Sequence, residues 1–171
     1  EICDGFDNDC SGGAEDGTYT VIHSSAPGGP AFVDSPLGQP VESGVSSSDD
    51  GVGPMQPIGF PFPFFGEQQD ELRIGANGFV TFTNSAASGC CNGGPIPSAS
   101  GLNDIIADFW TDLRPAGGGA VTWQTQGGAP NRVWLLDRDD SPYYLDDGSN
   151  SLQLKLFEGG NIEVHFIAID N

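Results

Sequence analysis

The amino-acid sequence predicts an all-β domain: an antiparallel β-sandwich or jelly roll with long Gly/Pro/Ser-rich loops and little helix. Three observations favour it. The 171 residues include 26 Gly and 13 Pro, eleven Phe dominate the aromatic residues, and Lys, Arg and Met are scarce. Turn residues and aromatic residues are typical of short strands joined by turns. A chain of this length can bury a core without metals or disulfides.

The first strand is predicted at "TYTVIHSS" (18–25), where Tyr19 and Val21 alternate with polar residues. A long segment rich in Gly, Pro, Ser and Asp follows at 26–57. It exceeds an ordinary hairpin connection, so we expect it either to be functional or to wrap over the surface with one or two edge strands. "IGFPFPFFG" (58–66) is expected at a sheet edge, because proline cannot donate a ladder hydrogen bond.

Two hairpins are predicted from apolar alternation around turn residues. In 71–83, Asn77 and Gly78 separate two apolar strands, and both can take positive φ angles. Residues 150–166 repeat this design. The alternating residues of the second hairpin are Leu152, Leu154 and Leu156 before Gly159-Gly160-Asn161, and Ile162, Val164 and Phe166 after it.

Segments 120–126 and 132–139 supply two more strands, and helical spacing is found only in "NDIIADFWTDL" (103–113). Seven or more short strands with almost no helix predict two sheets packed face to face. The order of the strands does not follow from periodicity.

The charge balance limits the classes of partner that the protein can bind. Five basic and 24 acidic residues give a net charge of −19. Nucleic acids and anionic membranes are therefore poor partners. No apolar run approaches the ~20 residues that span a bilayer. Four cysteines in such a sequence indicate an oxidising environment, so we expect a secreted protein whose leader has been removed or lies outside this sequence.

The segment "EICDGFDNDCSGGAEDG" (1–17) predicts a calcium site. Asp7, Asp9, Ser11 and Gly12 stand at positions 1, 3, 5 and 6 of an EF-hand-like loop. Position 12 is Thr18 rather than Glu, so another acid must close the site. Zinc bound by both cysteines is less consistent with the segment, which lacks His. The candidate calcium ligands are Asp4, Asp7, Asn8, Asp9, Ser11, Glu15 and Asp16.

Four cysteines allow three sets of pairings. Cys3 and Cys10 flank the acidic residues, and a disulfide between them would preorganise carboxylates that repel one another. Cys90 and Cys91 are adjacent, and a bond between neighbours falls below the usual Cα separation of ~4.4–6.8 Å. We favour Cys3–Cys10 with Cys90–Cys91, and the two crossed sets stay open.

Two further clusters are weaker candidates. Asn103, Asp104, Asp108 and Asp112 recur at near-helical spacing and predict a second calcium site on a short helix or turn; otherwise they are caps and a solvated face. Residues 137–148 read first as an exposed acidic loop. Their second interpretation is a cation or sugar site, in which a glycan would contact the side chains of Asp139, Asp140, Tyr143 and Tyr144.

No catalytic signature is present. His23 and His165 lie inside predicted strands, without a nucleophile elbow or a second His nearby. A glycosidase pair cannot be read from sequence, because its spacing is spatial. We therefore expect a protein that is not an enzyme.

Two stretches carry family resemblances. Residues 1–17 resemble the short Cys-Asp-Gly-x-Asp-Asn-Asp-Cys metal-binding motif of secreted bacterial proteins, with Ser11 in place of the usual Asp. Residues 58–169, including "LRIGANGFVTF" and "LQLKLFEGGNIEVHF", resemble nidogen-like extracellular domains. The second resemblance implies a non-catalytic β-rich module of matrix or cell-surface proteins. It also implies a further strand after Phe166.

The predicted organisation is thus a calcium-binding motif (1–17) followed by one sandwich domain (18–171). A sandwich lacking a strand would leave a groove that the isolated strand 18–25 of a neighbour could fill, which would build a filament by head-to-tail strand addition. We expect a calcium-stabilised extracellular structural module that forms a homopolymer. The alternative is a calcium-dependent glycan-binding domain of a larger surface protein.

Overall fold

The computed structural model describes residues 39–40, 45, 48–91, 93–96, 102–145 and 147–170. The described part is all-β, and its only helix is a single 3₁₀ turn at Pro115–Gly117. The predicted fold class is confirmed. The strands are β1 (Gln39–Pro40), β2 (Gln56–Phe64), β3 (Glu67–Gly75), β4 (Phe79–Thr81), β5 (Ile105–Ile106), β6 (Ala120–Gln126), β7 (Val133–Tyr143), β8 (Asp147–Phe157) and β9 (Ile162–Ala168).

The strands form two antiparallel sheets that share one apolar core. One sheet has the order β1-β6-β7-β8-β9, and the other has the order β2-β3-β4-β5. From Ile58 to Phe64, every second residue of β2 is buried, as the period-2 alternation of a half-buried strand requires. These residues belong to the same buried cluster as side chains of the facing sheet, which makes the fold a sandwich. The cluster joins Ile58, Phe60, Phe62 and Phe64 to Trp134, Leu136, Leu154 and Leu156.

Strand β2 lies at the edge of its sheet, as its prolines predict. Its pairing with β3 shifts register between Pro57 and Phe62. Gly59 occupies that gap with φ +87°. The carbonyl of Gly59 accepts a hydrogen bond of 2.6 Å from Nη1 of Arg132, the residue before β7 of the facing sheet.

Both predicted hairpins are present. In the first, Gly75 pairs with Phe79 across the Asn77–Gly78 turn. In the second, strands β8 and β9 pair in continuous register from Leu156 to Leu152.

Phe166 keeps the predicted alternation of its strand, but 59% of its surface is exposed. It shares the face of Ile162 and Val164, which pack against the main core. At its own position the ring meets Phe109 at 6.0 Å instead. The last residues of β9 therefore extend past the core that covers the first half of the strand.

The predicted helical segment at 103–113 is not a helix. Ile105 and Ile106 form β5, which pairs with β4. These neighbouring isoleucines belong to two different buried clusters. Successive side chains point to opposite sides of a strand but not of a helix, so the packing of both isoleucines favours the extended form.

The acidic segment at 137–148 is mostly strand and not a loop. Strand β7 continues to Tyr143, and β8 begins at Asp147. Register shifts follow Arg138 and Ser141, and Asp140 has φ +47°. These irregularities let a run of acidic residues remain paired with β8 while part of it stays exposed.

The buried side chain of Arg138 connects β7 to the loop after β5 and to β4 of the other sheet. Nε of Arg138 on β7 donates to Oδ2 of Asp108 at 2.7 Å, and both side chains are fully buried. Nη2 of Arg138 also donates to the carbonyl of Phe79 at 3.2 Å. Removing one partner of such a pair leaves an uncompensated buried charge. The role of Asp108 is therefore to stabilise the fold.

A second ion pair closes the other end of the sandwich. Glu158 receives hydrogen bonds from Nε of Arg132 at 2.9 Å, from Nη2, and from the backbone N–H of Arg132 at 3.0 Å. The guanidinium of Arg132 lies 5.4 Å from the ring centre of Phe60. The side-chain hydrogen bonds, and after them the backbone hydrogen bond, lower the pKa of Glu158 to about 2.

This pair predicts an acid-dependent contribution to stability. The pKa of Glu158 is about 2 in the folded protein against an ordinary value of 4.5. Its stabilisation is therefore complete above the ordinary value and is lost as pH falls through about 2. We expect Glu158→Gln to lower the free energy of unfolding most above that ordinary value, with the difference from the native chain shrinking as pH falls.

Urea unfolding across this pH range measures the difference. Glu67→Gln, at an exposed position, reports the general effect of removing one negative charge. A constant difference between Glu158→Gln and the native chain from neutral pH down to about 2 would contradict the assignment.

Candidate functional site

Three loops converge on the turn between β3 and β4, and the side chain of Asn77 joins them. Asn77 is completely buried. Its Nδ2 donates to Oδ1 of Asp50 at 2.8 Å and to the carbonyl of Ser88 at 3.3 Å. Its Oδ1 accepts the backbone N–H of Leu113 at 3.0 Å. One amide thereby fixes segments that are far apart in the sequence.

Gly78 brings the same turn into close contact with the loop that contains Phe109. It has φ +74°, and a side chain there would collide with the carbonyl oxygen of Phe109. The backbone N–H of Phe109 donates to the carbonyl of Gly78 at 3.0 Å. Only Gly78 of the predicted pair has positive φ, so Asn77 contributes its buried amide rather than a left-handed backbone.

The loop that carries Asp50 is anchored by its own backbone. The N–H of Ala76 donates to the carbonyl of Gly51 at 2.8 Å, and the N–H of Gly53 donates to that of Ile74 at 2.9 Å. These bonds extend the sheet by a short bridge between Val52 and Gly75. Asp49 and Asp50 therefore directly precede a segment that is hydrogen-bonded along β3.

Trp110 anchors the loop that carries the cysteines. Its Nε1 donates to the carbonyl of Gly89 at 2.6 Å. Its ring packs against a small buried cluster beneath the loop, formed by Phe79, Leu102 and Ile105. The loop is thus held beside Asn77 from two sides, through Ser88 and through Gly89.

Acidic groups and sulfur atoms meet above this framework. Cys90 and Cys91 are joined by a disulfide. The carboxylates of Asp50 and Asp112 approach both sulfurs, and the four donor atoms lie within 4.8 Å of one another. Among the residues that the structure describes, no other set of three or more Asp, Glu, His or Cys side chains is this close. We call Asp49, Asp50, Asn77, Cys90, Cys91 and Asp112 the hairpin-turn cluster.

The electrostatics of the cluster favour a cation. Burial raises the pKa of Asp112, and the negative charges of Asp49 and Asp50 raise it further. Oδ1 of Asp49 is itself buried without a hydrogen-bond partner among the described atoms. Carboxylates crowded in this way are stabilised by a positive ion.

The predicted second calcium set is divided by the fold. Asp108 pairs with Arg138, and Asp112 joins the hairpin-turn cluster. The carbonyls of Asn103 and Asp104 accept hydrogen bonds from Oγ1 of Thr81 and the N–H of Phe82. Among the described residues, Asp108 and Asp112 thus lie in different surroundings, one in the ion pair with Arg138 and the other in the hairpin-turn cluster. The first predicted site and Cys3–Cys10 lie outside the described residues.

The predicted glycan residues have mixed surroundings. Oδ1 of Asp140 accepts a hydrogen bond from Oγ of Ser149 at 2.8 Å. The hydroxyl of Tyr143 donates to the carbonyl of Asp170 at 2.9 Å, and its ring packs near Phe109. Tyr144 is half exposed. Asp139 lies within β7, paired with Ala120.

Strand β9 forms an edge of the five-stranded sheet. Within the described ranges, no strand pairs with its outer side. Phe166 and Ile167 are 59% and 49% exposed on it. The other edge strands differ: β1 and β5 have two residues each, and β2 carries three prolines. Of the described edges, β9 is the one suited to pairing with another strand.

A comparison with protein families matches residues 18–170 to a family described as NIDO related. A comparison with solved structures finds no match. In the described part of the chain, no helix has the length and apolar character needed to cross a membrane.

The turn geometry predicts an unequal response to two glycine substitutions. Gly66 and Gly78 both have positive φ, but a Cβ at Gly66 meets nothing within 4 Å. We expect Gly66→Ala to cost roughly 1–2 kcal/mol from backbone strain alone. Gly78→Ala adds a collision with Phe109, so its cost should be larger by about 2 kcal/mol or more.

Thermal and urea unfolding of both variants measure these costs. Gly128→Ala, where a Cβ also meets nothing and φ is not positive, is the control for the substitution itself. Equal destabilisation by Gly66→Ala and Gly78→Ala would show that the turn does not press on Phe109.

Proposed function

The chain belongs to the NIDO-related family, and from this premise we propose that it is a secreted, non-catalytic structural module that calcium stabilises and that self-associates by strand addition. Membership makes it a nidogen-like, β-rich domain of an extracellular type. The assembly would be a fibre or surface layer.

The observation that carries self-association is the edge of β9. Its seven residues contain no proline, and two large apolar side chains project from it into solvent. Exposed edges of this kind pair with strands of other chains through main-chain hydrogen bonds. An added strand would cover Phe166 and Ile167, which are about half exposed in the described part of the chain.

The proposed donor is residues 18–25 of a second copy. Its Tyr19 and Val21 alternate with polar residues. Such a strand would set apolar side chains beside those of Val164 and Phe166, which share one face of β9. Donor strand and acceptor edge are different parts of the chain, so the contact is head-to-tail and builds a filament when it does not close.

Calcium would reduce the electrostatic repulsion between copies in such an assembly. Each copy carries a net charge of −19, so two copies repel unless cations lie between them. The motif at 1–17 immediately precedes the proposed donor strand. Calcium there would fix the orientation of the strand and lower the local charge. The proposed ligands remain Asp4, Asp7, Asn8, Asp9, Ser11, Glu15 and Asp16.

The non-catalytic part of the proposal rests on sequence: neither His lies near a nucleophile elbow or a second His. Glycan binding is the alternative. Its support is Tyr144, whose half-exposed ring could stack on a sugar near acidic residues. Sugar binding that survives loss of self-association and requires Tyr144 would favour that alternative.

Charging the β9 edge should prevent assembly. Because Phe166 and Ile167 are exposed, replacing both with Lys should leave the fold intact. The two added charges should oppose pairing of β9 with another strand. We expect native full-length protein to show filaments by electron microscopy and growth by light scattering, and Phe166→Lys/Ile167→Lys to remain monomeric. Leu145→Lys, 75% exposed in the turn before β8, should assemble normally.

Circular dichroism must show that the three proteins fold alike. Monomers alone in the native sample, both with and without calcium, would overturn self-association. Unchanged assembly of the double variant would instead move the interface away from β9.

Calcium should stabilise the native chain through residues 1–17. At a free calcium concentration about 100-fold above the dissociation constant, binding contributes about 2.7 kcal/mol, or roughly 5–10 °C in Tm for a chain of this size. We expect a chelator to lower Tm by that amount, and Asp7→Asn/Asp9→Asn to abolish the response.

Asp50→Asn/Asp112→Asn serves as the matched control and should retain the calcium response. A native Tm that is unchanged by chelator would remove calcium from the proposal. Loss of the response only in the control pair would place the ion at the hairpin-turn cluster.

A further inference from the structure

The hairpin-turn cluster carries a donor set that calcium does not prefer. Its four converging donors are two sulfurs and two carboxylates, from Cys90, Cys91, Asp50 and Asp112. Calcium takes six to eight oxygens, whereas zinc takes four ligands and accepts both thiolate and carboxylate. The composition and number of the donors therefore match a thiophilic divalent ion.

We propose that reduction of the Cys90–Cys91 disulfide opens a tetrahedral site for Zn²⁺ or a similar thiophilic ion, formed by both thiolates with Asp50 and Asp112. In the oxidised chain the sulfurs are bonded to each other, and the site is closed. The proposal concerns a site and its redox control, and it is independent of self-association.

Distance supports this assignment. Zinc bonds of ~2.0–2.3 Å in a tetrahedron separate neighbouring ligand atoms by about 3.6 Å. The four donors already lie within 4.8 Å of one another. Reduction frees the sulfurs to separate toward the tetrahedral spacing, and no separation between two donors exceeds that spacing by more than about 1 Å.

The carboxylates are held by partners behind them, as metal ligands usually are. Nδ2 of buried Asn77 donates to Asp50, and its Oδ1 holds the N–H of the residue after Asp112. Trp110 holds the cysteine loop through Gly89. Asn77 and Trp110 are thus positioning residues for ligands on three loops.

The charge of the site also favours a cation. Asp49, Asp50 and Asp112 crowd together, so their negative charges repel one another unless a cation lies between them. Cys90 is exposed and Cys91 is partly exposed, so a reductant can reach the disulfide.

The chemistry balances with a thiol reductant. Two reductant thiols supply two electrons: the Sγ–Sγ bond breaks, each cysteine sulfur gains one proton, and the reductant becomes a disulfide. A bound zinc ion then displaces both thiol protons, because thiolate is the ligand form.

The test uses the full chain with Cys3→Ser and Cys10→Ser, which removes the other two thiols. It is reduced with a phosphine, which takes an oxygen atom from water as the disulfide gains two hydrogens, and is then desalted without oxygen. Co²⁺ should produce thiolate charge-transfer and tetrahedral ligand-field bands at one equivalent. Zn²⁺ should displace it. The oxidised protein should show neither band.

Ligand variants separate this site from a simple dithiol. Asp50→Asn and Asp112→Asn should each weaken Zn²⁺ binding by about tenfold or more. Asp104→Asn, an exposed acid outside the cluster, should bind as the parent does. The inference is overturned if the reduced parent gives no charge-transfer band, or if the three Asn variants bind equally.

If the chain with Cys3→Ser and Cys10→Ser does not fold, a second comparison tests the same site. The reduced native chain is then compared with Cys90→Ser/Cys91→Ser. The variant should bind one equivalent of Co²⁺ fewer, and equal stoichiometry overturns the inference.

Discussion

The buried amide of Asn77 is the interaction on which the loop end of this sandwich depends. The turn between β3 and β4 has three residues, Ala76 to Gly78, and the side chain of Asn77 within it forms hydrogen bonds with Asp50, Ser88 and Leu113. Segments 27, 11 and 36 residues away in sequence thus share one anchor. An unsatisfied buried polar group costs about 1–3 kcal/mol. The three loops must therefore stay together for the buried amide of Asn77 to keep its hydrogen bonds.

The strands were predictable wherever one face is apolar and the other is not. Strand β2 and both hairpins follow from alternation, from Asn77–Gly78 and from prolines that suit an edge. The prediction was wrong at 103–113, where helical spacing of acids competed with two isoleucines that pack into different clusters. The exposure of Phe166 could not be predicted, because alternation gives the face of a strand but not where the opposing layer ends.

The hairpin-turn cluster was beyond sequence reasoning for a physical reason. Its members come from three loops without periodicity, and what unites them is the anchoring by Asn77 and Trp110. The adjacent pairs Asp49-Asp50 and Cys90-Cys91 are apparent in the sequence, but nothing in their spacing places them next to Asp112. Asp108 shows the converse: its spacing matched Asp104 and Asp112, while the nearest strong partner in space was Arg138.

The few basic residues explain why cations recur in both proposals. The sequence has five Lys and Arg against 24 Asp and Glu. Arg138 and Arg132 are committed to Asp108 and Glu158, and Arg73 is hydrogen-bonded to Asn84 and to the carbonyl of Gly53. Internal ion pairs thus neutralise only a small part of the acidic surplus. The rest must be balanced by ions from solution, so sites that hold a cation in fixed geometry lower the repulsion most where carboxylates are crowded.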